Sequence, residues 1–490
     1  MSSSLWRQAL LAVGLTVGFY LLALTVIVGL VGLPVLEWVA ADRIHLKLVV
    51  VCWAAAGVIG WSIVPRPERY QAPGPTLSRD AHPALFAEID GIAAAARQAG
   101  PAEVYLMPDV NAFVAQVGGV VGLGSRRVMG LGLPLLQVLT VSQLRAVLAH
   151  EFGHYHGGET ALGPWVYHSR ASMARTVNNL AGHPALEVLS APFRWYAQLF
   201  LRITLAVSRS QEHAADLVAA RVAGARSTAE ALERLRGSAH AFEQYLGQEL
   251  EPVLAAGYLP PVGAGFATFL ERPRIVAAVQ RQVARDLAEE QVSPFDTHPP
   301  LRDRLNALRG LPELADPPDL RSAVELLGDV ASAERALLRH LDLRPIGWDE
   351  VGERVVVPKL LSLAQLAGAL AGHTVREVGQ DPTSWVALGA TLAPGADANE
   401  HLELGGRLIQ CAVLARLVSD GWAIRSLPGE PHTATLGGLA FAPGPLLAEV
   451  EQRGDPSTWI HAVDAVGIGD LRLGEPPTTA GSPPPAAAAP

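Results

Sequence analysis

Cysteine is almost absent from this chain: Cys52 and Cys411 are the only two in 490 residues. That excludes a disulfide framework and a zinc site built on paired cysteines. Charge is scarce as well. Only 17% of residues are Asp, Glu, Lys or Arg, 50% are hydrophobic, and mean hydropathy is +0.25. This balance excludes a disordered or solvating protein and points to soluble domains joined to membrane segments. A net charge of −9 and a pI near 5.9 leave no basic footprint for nucleic acid. The glycine-rich stretch Gly118–Gly124 lacks a Lys-Ser ending, so it is not a phosphate-binding loop; it reads as a hairpin or flexible connection. The length suits about three domains.

From Gln8 to Leu36 no residue is charged. The apolar run Ala9–Val35 exceeds the roughly 20 residues that a transmembrane helix needs. It is also too long for the apolar part of a signal peptide. A second run, Leu48–Val64, sits at the ~17-residue lower limit for a span, and Lys47 extends it by snorkelling. Spans are therefore expected at about 9–35 and 46–64, with an interfacial or buried helix as the alternative for the second. Trp6, Trp38 and Trp61 fall near the expected interfaces. Arg7 precedes the first span and Arg66, Arg69 and Arg79 follow the second, which places both ends inside. The bulk of the chain then lies in the cytoplasm. If the second run does not span, that assignment inverts.

Arg66–Pro83 reads as a linker, Pro83 opens a helix, and Val104–Met107 and Arg127–Leu131 read as short strands. Thr140 and Gln143 form a capping box that starts the next helix. That helix carries His150-Glu151-Phe152-Gly153-His154. Residues four apart share a helix face, so both imidazoles can bind one metal ion. Glu151, one residue along, can reach a water beside the metal and act as general base. With 15 histidines in the chain, an accidental HExxH is on the order of a one-in-a-hundred event. His156 and His213 lie on other sides of their helices from their neighbours His154 and Glu212, and read as structural or exposed.

A catalytic zinc needs a third protein ligand and an open position. The metzincin spacing would put a histidine at position 160, where the chain has Thr160. The alternative is a carboxylate on a later helix. Arg194–Ala223 reads as one long helix, and Glu212 and Asp216 share a face of it. Glu212 can ligate the metal while Asp216 accepts the second N–H of a ligand histidine. The opposing reading of this pair is a solvated helix face.

HExxH followed by Ser208-Arg209-Ser210-Gln211-Glu212-His213-Ala214-Ala215-Asp216 resembles the CAAX prenyl protease and HtpX-like family of membrane-associated zinc metallopeptidases. Asp109-Val110-Asn111-Ala112-Phe113 resembles the family's Asn-Ala-Phe segment, and Thr297-His298-Pro299-Pro300 with Arg304 its Thr-His-Pro element. The likeness covers roughly residues 65–310. It implies His150, His154 and Glu212 as ligands of one zinc ion, and Glu151 as base. It also implies His298 as donor to the developing oxyanion, Arg304 as support near the glutamate, and Asn111 as a hydrogen-bonding partner of the substrate backbone. Many members carry two further membrane helices between HExxH and the glutamate. Here the best candidate, Pro192–Val207, contains Arg194 and Arg202 and reads as amphipathic, which argues against a chamber enclosed by membrane helices.

Leu311–Leu471 carries no motif tied to chemistry. Ser322–Leu341 reads as an amphipathic helix, Leu360–Gly372 as a core helix with an interfacial helix as the alternative, and Trp422–Phe441 as strands joined by turns. The whole is expected to be mainly α with a small antiparallel β-sheet. Its parts are a transmembrane hairpin (1–65), a zincin-like metallopeptidase domain (66–310), an α+β accessory domain (311–474) and a disordered Pro/Ala-rich tail (475–490). The expected activity is peptide hydrolysis at the cell (inner) membrane, with a protein or peptide substrate, the lipid bilayer as a second partner, and an extended substrate on the edge strand after the glycine-rich stretch. The rival class is a non-catalytic or signalling membrane protein with a structural or regulatory zinc site. Glu151 opposes it, because a structural site needs no base and fills its fourth position.

Overall fold

The computed structural model describes residues 3–64, 70–117, 126–155, 163–182, 186–289, 299–313 and 317–474. His298, the Gly118–Gly124 stretch and the tail from Glu475 lie outside the described residues. The chain forms two compact units: Met1–Ser238 with Arg281–Leu337, and Ala239–Gln280 with Leu338–Pro490.

The first unit begins with helices α1 (Ser3–Ala41) and α2 (Leu46–Ile63), joined by a short connection. Their segments Val13–Ala41 and Leu46–Ile63 are long and apolar enough to cross a membrane, the only such helices among the described residues. The first helix continues past the expected end at Val35. Pro34 removes one backbone hydrogen bond without ending the helix, and Leu36 and Val39 carry the apolar pattern on. Leu10, Val17, Leu21, Leu24 and Val28 expose their side chains along it.

A four-stranded sheet follows, built from β1 (Thr76–Leu77), β2 (Glu103–Met107), β3 (Ala112–Val117) and β4 (Arg126–Gly132) in the order β1-β2-β4-β3. The β3–β4 pair is antiparallel but β2–β4 is parallel, so the sheet is mixed rather than wholly antiparallel. This placement also corrects the expected edge. β4, the strand after the glycine-rich stretch, is interior because β2 and β3 flank it; the edge beside it is β3, which precedes that stretch. β3 was not foreseen: the Asn111-Ala112-Phe113 segment is the start of this strand.

Helix α3 (Pro83–Ala95) buries Leu85, Phe86, Ile89 and Ile92, the apolar spacing of its sequence. After α4 (Leu133–Val138) comes α5 (Val141–Gly153), the helix that holds HExxH. Its capping box is formed as expected: Gln143 N–H donates to Thr140 Oγ1 at 3.3 Å and Thr140 N–H to Gln143 Oε1 at 3.1 Å. Arg145 binds Glu88 of α3 with two bonds of 2.7 Å, and the segment 319–323 pairs with the helix start through Val141, Ser142 and Leu139. The register of α5 is thereby fixed at its first turn.

Helices α6 (Gly163–Ala181) and α7 (Glu187–Ala223) return the chain to the hairpin. Phe193 and Phe200 of α7 and Met173 and Leu180 of α6 pack with Phe19 and Ala23 of α1 and Ala55 and Ile59 of α2. Polar contacts accompany this packing. Ser169 Oγ donates to Thr16 Oγ1 at 3.1 Å, Asn179 to Ser62 Oγ at 2.9 Å, and Tyr196 OH to the Leu15 carbonyl at 2.7 Å. Gly18 leaves room for the Tyr196 hydroxyl, which an added Cβ would strike. α7 is one continuous helix that starts seven residues before the expected Arg194, with Pro192 inside its early turns. It thus joins the face packed on the hairpin to the carboxylates at 212 and 216. α8 (Ala225–Tyr245) follows.

In the second unit, helices Pro382–Leu392 and Ala398–Ser419 pack around Trp385, Val413, Leu414 and Leu417, with Trp459 and Val463 completing the core. Strands Ala423–Arg425, Thr433–Leu436 and Leu439–Phe441 form an antiparallel meander, as expected for that stretch. Where the chain passes from the first unit to the second, the expected helix over 322–341 is instead a 3-10 turn at Ala323–Leu327, a helix at Val330–Leu338 and a second 3-10 turn; Gly328, at φ 70°, breaks it. The stretch 360–372 likewise divides into a helix, Val357–Ala364, and a 3-10 segment.

α5 and α7 meet at Gly153. A Cβ added there would lie 2.8 Å from Ala215 Cα and 3.1 Å from Ala215 Cβ, so only glycine permits this approach. Gly153→Val is expected to cost about 1–3 kcal/mol of stability through overpacking, read as a lower denaturant midpoint. Gly91→Ala in α3, where nothing lies within 4 Å, is expected to leave the midpoint unchanged or raise it. Equal midpoints for Gly153→Val and the parent chain would contradict the close crossing.

Candidate metal centre and active site

The Gly153–Ala215 contact sets one turn of α7 beside the HExxH turn of α5. His150 and His154 lie one helical turn apart with ring centroids 4.8 Å from each other. His150 Nε2 is 3.5 Å from one Glu212 oxygen, and His154 Nε2 is 3.7 Å from the other. Around a tetrahedral zinc with bonds of ~2.0–2.1 Å, ligand atoms sit about 3.3 Å apart. Two imidazoles and a carboxylate at this spacing fit one such ion. His150, Glu151 and His154 also form a group whose ligand atoms all lie within 4.8 Å of one another. Glu151 competes with Glu212 for the third place on distance alone. The carboxylate of Glu212 is nearly buried and faces both imidazoles, whereas Glu151 faces the cleft. The donor set that fits is therefore His150, His154 and Glu212.

Asp216, one turn beyond Glu212, places Oδ1 3.0 Å from His150 Nδ1, an ion-pair contact. Arg304, on the helix Leu301–Leu308, donates to both Asp216 oxygens at 2.8 and 2.6 Å and lies 3.7 Å from Glu212. Burial alone would raise the Asp216 carboxyl, yet Arg304 and His150 hold it below its usual range. Burial likewise pushes the His150 imidazole down, but Asp216 and Glu212 outweigh it and raise the pKa to about 9.

These groups open on a cleft of about 670 Å³. Asn111, His150, Glu151, Asp216 and Arg304 are among its polar lining residues, and Leu135, Val147, Leu232 and Leu235 among its apolar ones. The structure brings together every described site residue expected from the sequence. Asn111 turns its carbonyl to Gly132 of β4, 2.8 Å away, so only its exposed side chain is available to a ligand. His298 lies outside the described residues.

Three features escaped the sequence reading: the apolar wall from α8, Arg236 in the cleft lining, and Tyr155, the residue after His154. Leu232 and Leu235, three apart, were a legible helix face, but nothing in the sequence aims it at the metal group. Tyr155 OH donates to the Val114 carbonyl at 2.7 Å, and burial pushes its pKa up to about 12, so it remains a donor.

A metal ion must displace the proton of His150. Below about pH 9 the apparent affinity for a divalent metal should rise with pH by about tenfold per unit while that proton is bound. Asp216→Asn removes a group that holds the proton. It should slide this dependence to lower pH and weaken binding above pH 9 by about 10–100-fold. Competition titration against a chromophoric chelator checks both. An unchanged affinity and pH profile in Asp216→Asn would remove that residue from the site.

Residues 81–311 match the model of peptidase family M48. Protease HtpX of Alkalilimnicola ehrlichii is 25% identical over 243 residues, which cover 45% of this chain and 68% of that protein. No solved structure matches this chain. The matched stretch opens just before α3, ends just after the helix that carries Arg304, and contains all the groups described above. The match over residues 81–311 and the likeness to this protease support an HtpX-like metallopeptidase of family M48.

Proposed function

We propose that the protein is a membrane-anchored, zinc-dependent endopeptidase in which His150, His154 and Glu212 hold one zinc ion and Glu151 is the general base. The observation that carries this reading is the separation of roles among the carboxylates. Glu212 faces both imidazoles, Asp216 is bound by Arg304 and His150, and Glu151 lies against the cleft.

When bound, zinc would polarise the scissile carbonyl and make water a competent nucleophile near neutral pH. Glu151 takes a proton from the attacking water and passes it to the leaving amine nitrogen. Asp216 keeps the His150 ring oriented, and Arg304 keeps both carboxylates of α7 in place. The side chain of Asn111 binds substrate main chain, and the edge of β3 offers it pairing groups. The resemblance assigns His298 the oxyanion. Leu135, Val147, Leu232 and Leu235 suit an apolar side chain.

The two apolar helices are consistent with membrane anchoring. In this reading α1 and α2 both span, the ends flanked by Arg7, Arg66, Arg69 and Arg79 lie in the cytoplasm of a cell whose inner membrane holds the protein, and the packing of α6 and α7 on the hairpin keeps the peptidase domain near the bilayer. The domain organisation that goes with it is a hairpin over 1–65, a peptidase domain over 66–310 and an accessory domain over 311–474.

The test is cleavage of an unfolded protein such as casein by detergent-purified, zinc-loaded protein. Glu151→Gln is expected to retain zinc and lose at least about 100-fold in turnover; His154→Ala is expected to lose the metal. Retained turnover in Glu151→Gln would contradict the base assignment. Bound zinc with no turnover by the parent chain would favour a signalling role.

A further inference from the structure

The hydrogen-bonding direction along β3 can be read from its register. Ala112 pairs with Leu131, and Gly132 N–H donates to the Asn111 carbonyl. Facing residues of an antiparallel pair alternate between bonded and unbonded positions. Asn111, Phe113 and Ala115 therefore turn their N–H and C=O toward β4, while Ala112, Val114 and Gln116 turn theirs to the open edge. Ala112 lines the cleft beside His150 and Glu151. Val114 is the next outward position, and its carbonyl is already bound by Tyr155 OH at 2.7 Å.

Tyr155 is fixed from three sides. Its N–H donates to the Phe152 carbonyl at 3.0 Å at the end of α5. Its carbonyl accepts from Gln98 at 3.2 Å. The Arg127 guanidinium lies 4.4 Å over its ring and is itself bonded to the Ala99 carbonyl at 2.6 Å. The hydroxyl therefore has little freedom to leave Val114. It also immediately follows His154, so the brace ties the edge strand to the metal-site turn.

We infer that Tyr155 is a positioning residue that, by occupying the Val114 carbonyl, leaves Ala112 as the outward position beside the metal group that offers the substrate main chain both its groups, and weakens pairing at the next outward position. A peptide strand added to β3 forms its ring of two hydrogen bonds beside the metal group and finds the acceptor of the next outward residue already engaged by Tyr155. The enzyme is then suited to short extended segments, such as exposed loops and unfolded termini, and gains little from a longer strand. This rests on the proposed peptidase reading.

The test uses zinc-loaded parent chain and Tyr155→Phe, which keeps the ring and its contact with Arg127. Both are given peptides lengthened one residue at a time on each side of one cleavage site, with each backbone N–H methylated in turn. For the parent chain, kcat/KM should stop rising once the peptide covers Ala112. In Tyr155→Phe one further residue should lower KM about fivefold, the increment of one neutral hydrogen bond, and methylating that residue's N–H should abolish the gain. Zinc content and kcat on the shortest peptide should match those of the parent chain. Identical length and methylation profiles for the two proteins would overturn the inference. So would a parent chain already sensitive to methylation at that residue. Loss of zinc, or an equal fall of kcat on every peptide, would make Tyr155 a structural brace and overturn it as well. A zinc-loaded parent chain that cleaves no peptide would defeat the peptidase reading itself, and this inference with it.

Discussion

The approach of α7 to α5 at Gly153 is the contact on which the site depends. His150 and His154 are set by one helical turn and need no tertiary help to face the same way. Glu212 and Asp216 arrive from a different helix, and they reach the imidazoles only because no side chain stands between Gly153 and Ala215. A small residue at each helix surface lets the backbones come close enough for short carboxylate side chains to span the gap. The same helix α7 extends back to Phe193 and Phe200, which pack on the apolar hairpin. One rigid element thus connects the apolar hairpin with the turn that carries Glu212 and Asp216.

The second constraint is charge. Glu212, Asp216, His150 and Arg304 are all withdrawn from water, and each of these ions alone would cost several kcal/mol to bury. They are tolerated as a set. Arg304 binds Asp216 through two bonds and approaches Glu212, and Asp216 in turn faces His150. Such a network is a weak source of stability, because pairing does little more than offset desolvation. Its value is positional: it holds two carboxylates in one orientation before a metal ion arrives. The raised His150 pKa is the same fact seen from the imidazole, a nest of negative charge that takes a proton when no other cation is offered.

Much of the site was legible in the sequence because helices translate spacing into direction. Thr140 and Gln143 announced the start of α5, His150 and His154 one face of it, and Glu212 and Asp216 one face of α7. What could not be read depends on partners distant in the chain. The short strand β3 has no alternating apolar run long enough to declare itself, and its edge position follows from β2 pairing with β4, which only the tertiary fold fixes. Gly153 looked like an ordinary helix glycine until Ala215 was placed against it. Tyr155 carried no signal beyond following His154, since its role lies in a carbonyl of another element. The amphipathic pattern of Pro192–Val207 gave no hint that α6 and early α7 pack on the hairpin, because that packing uses phenylalanines and buried serine and threonine rather than a continuous apolar surface.

The central claim is that a carboxylate of α7 completes a metal site begun on α5. X-ray absorption at the zinc edge tests it most directly, on zinc-loaded parent chain beside Glu212→Ala. The account predicts only nitrogen and oxygen neighbours at ~2.0–2.2 Å in the parent chain, and the loss of one carboxylate oxygen in the variant. A sulfur neighbour at ~2.3 Å, or an identical first shell in the two proteins, would contradict it.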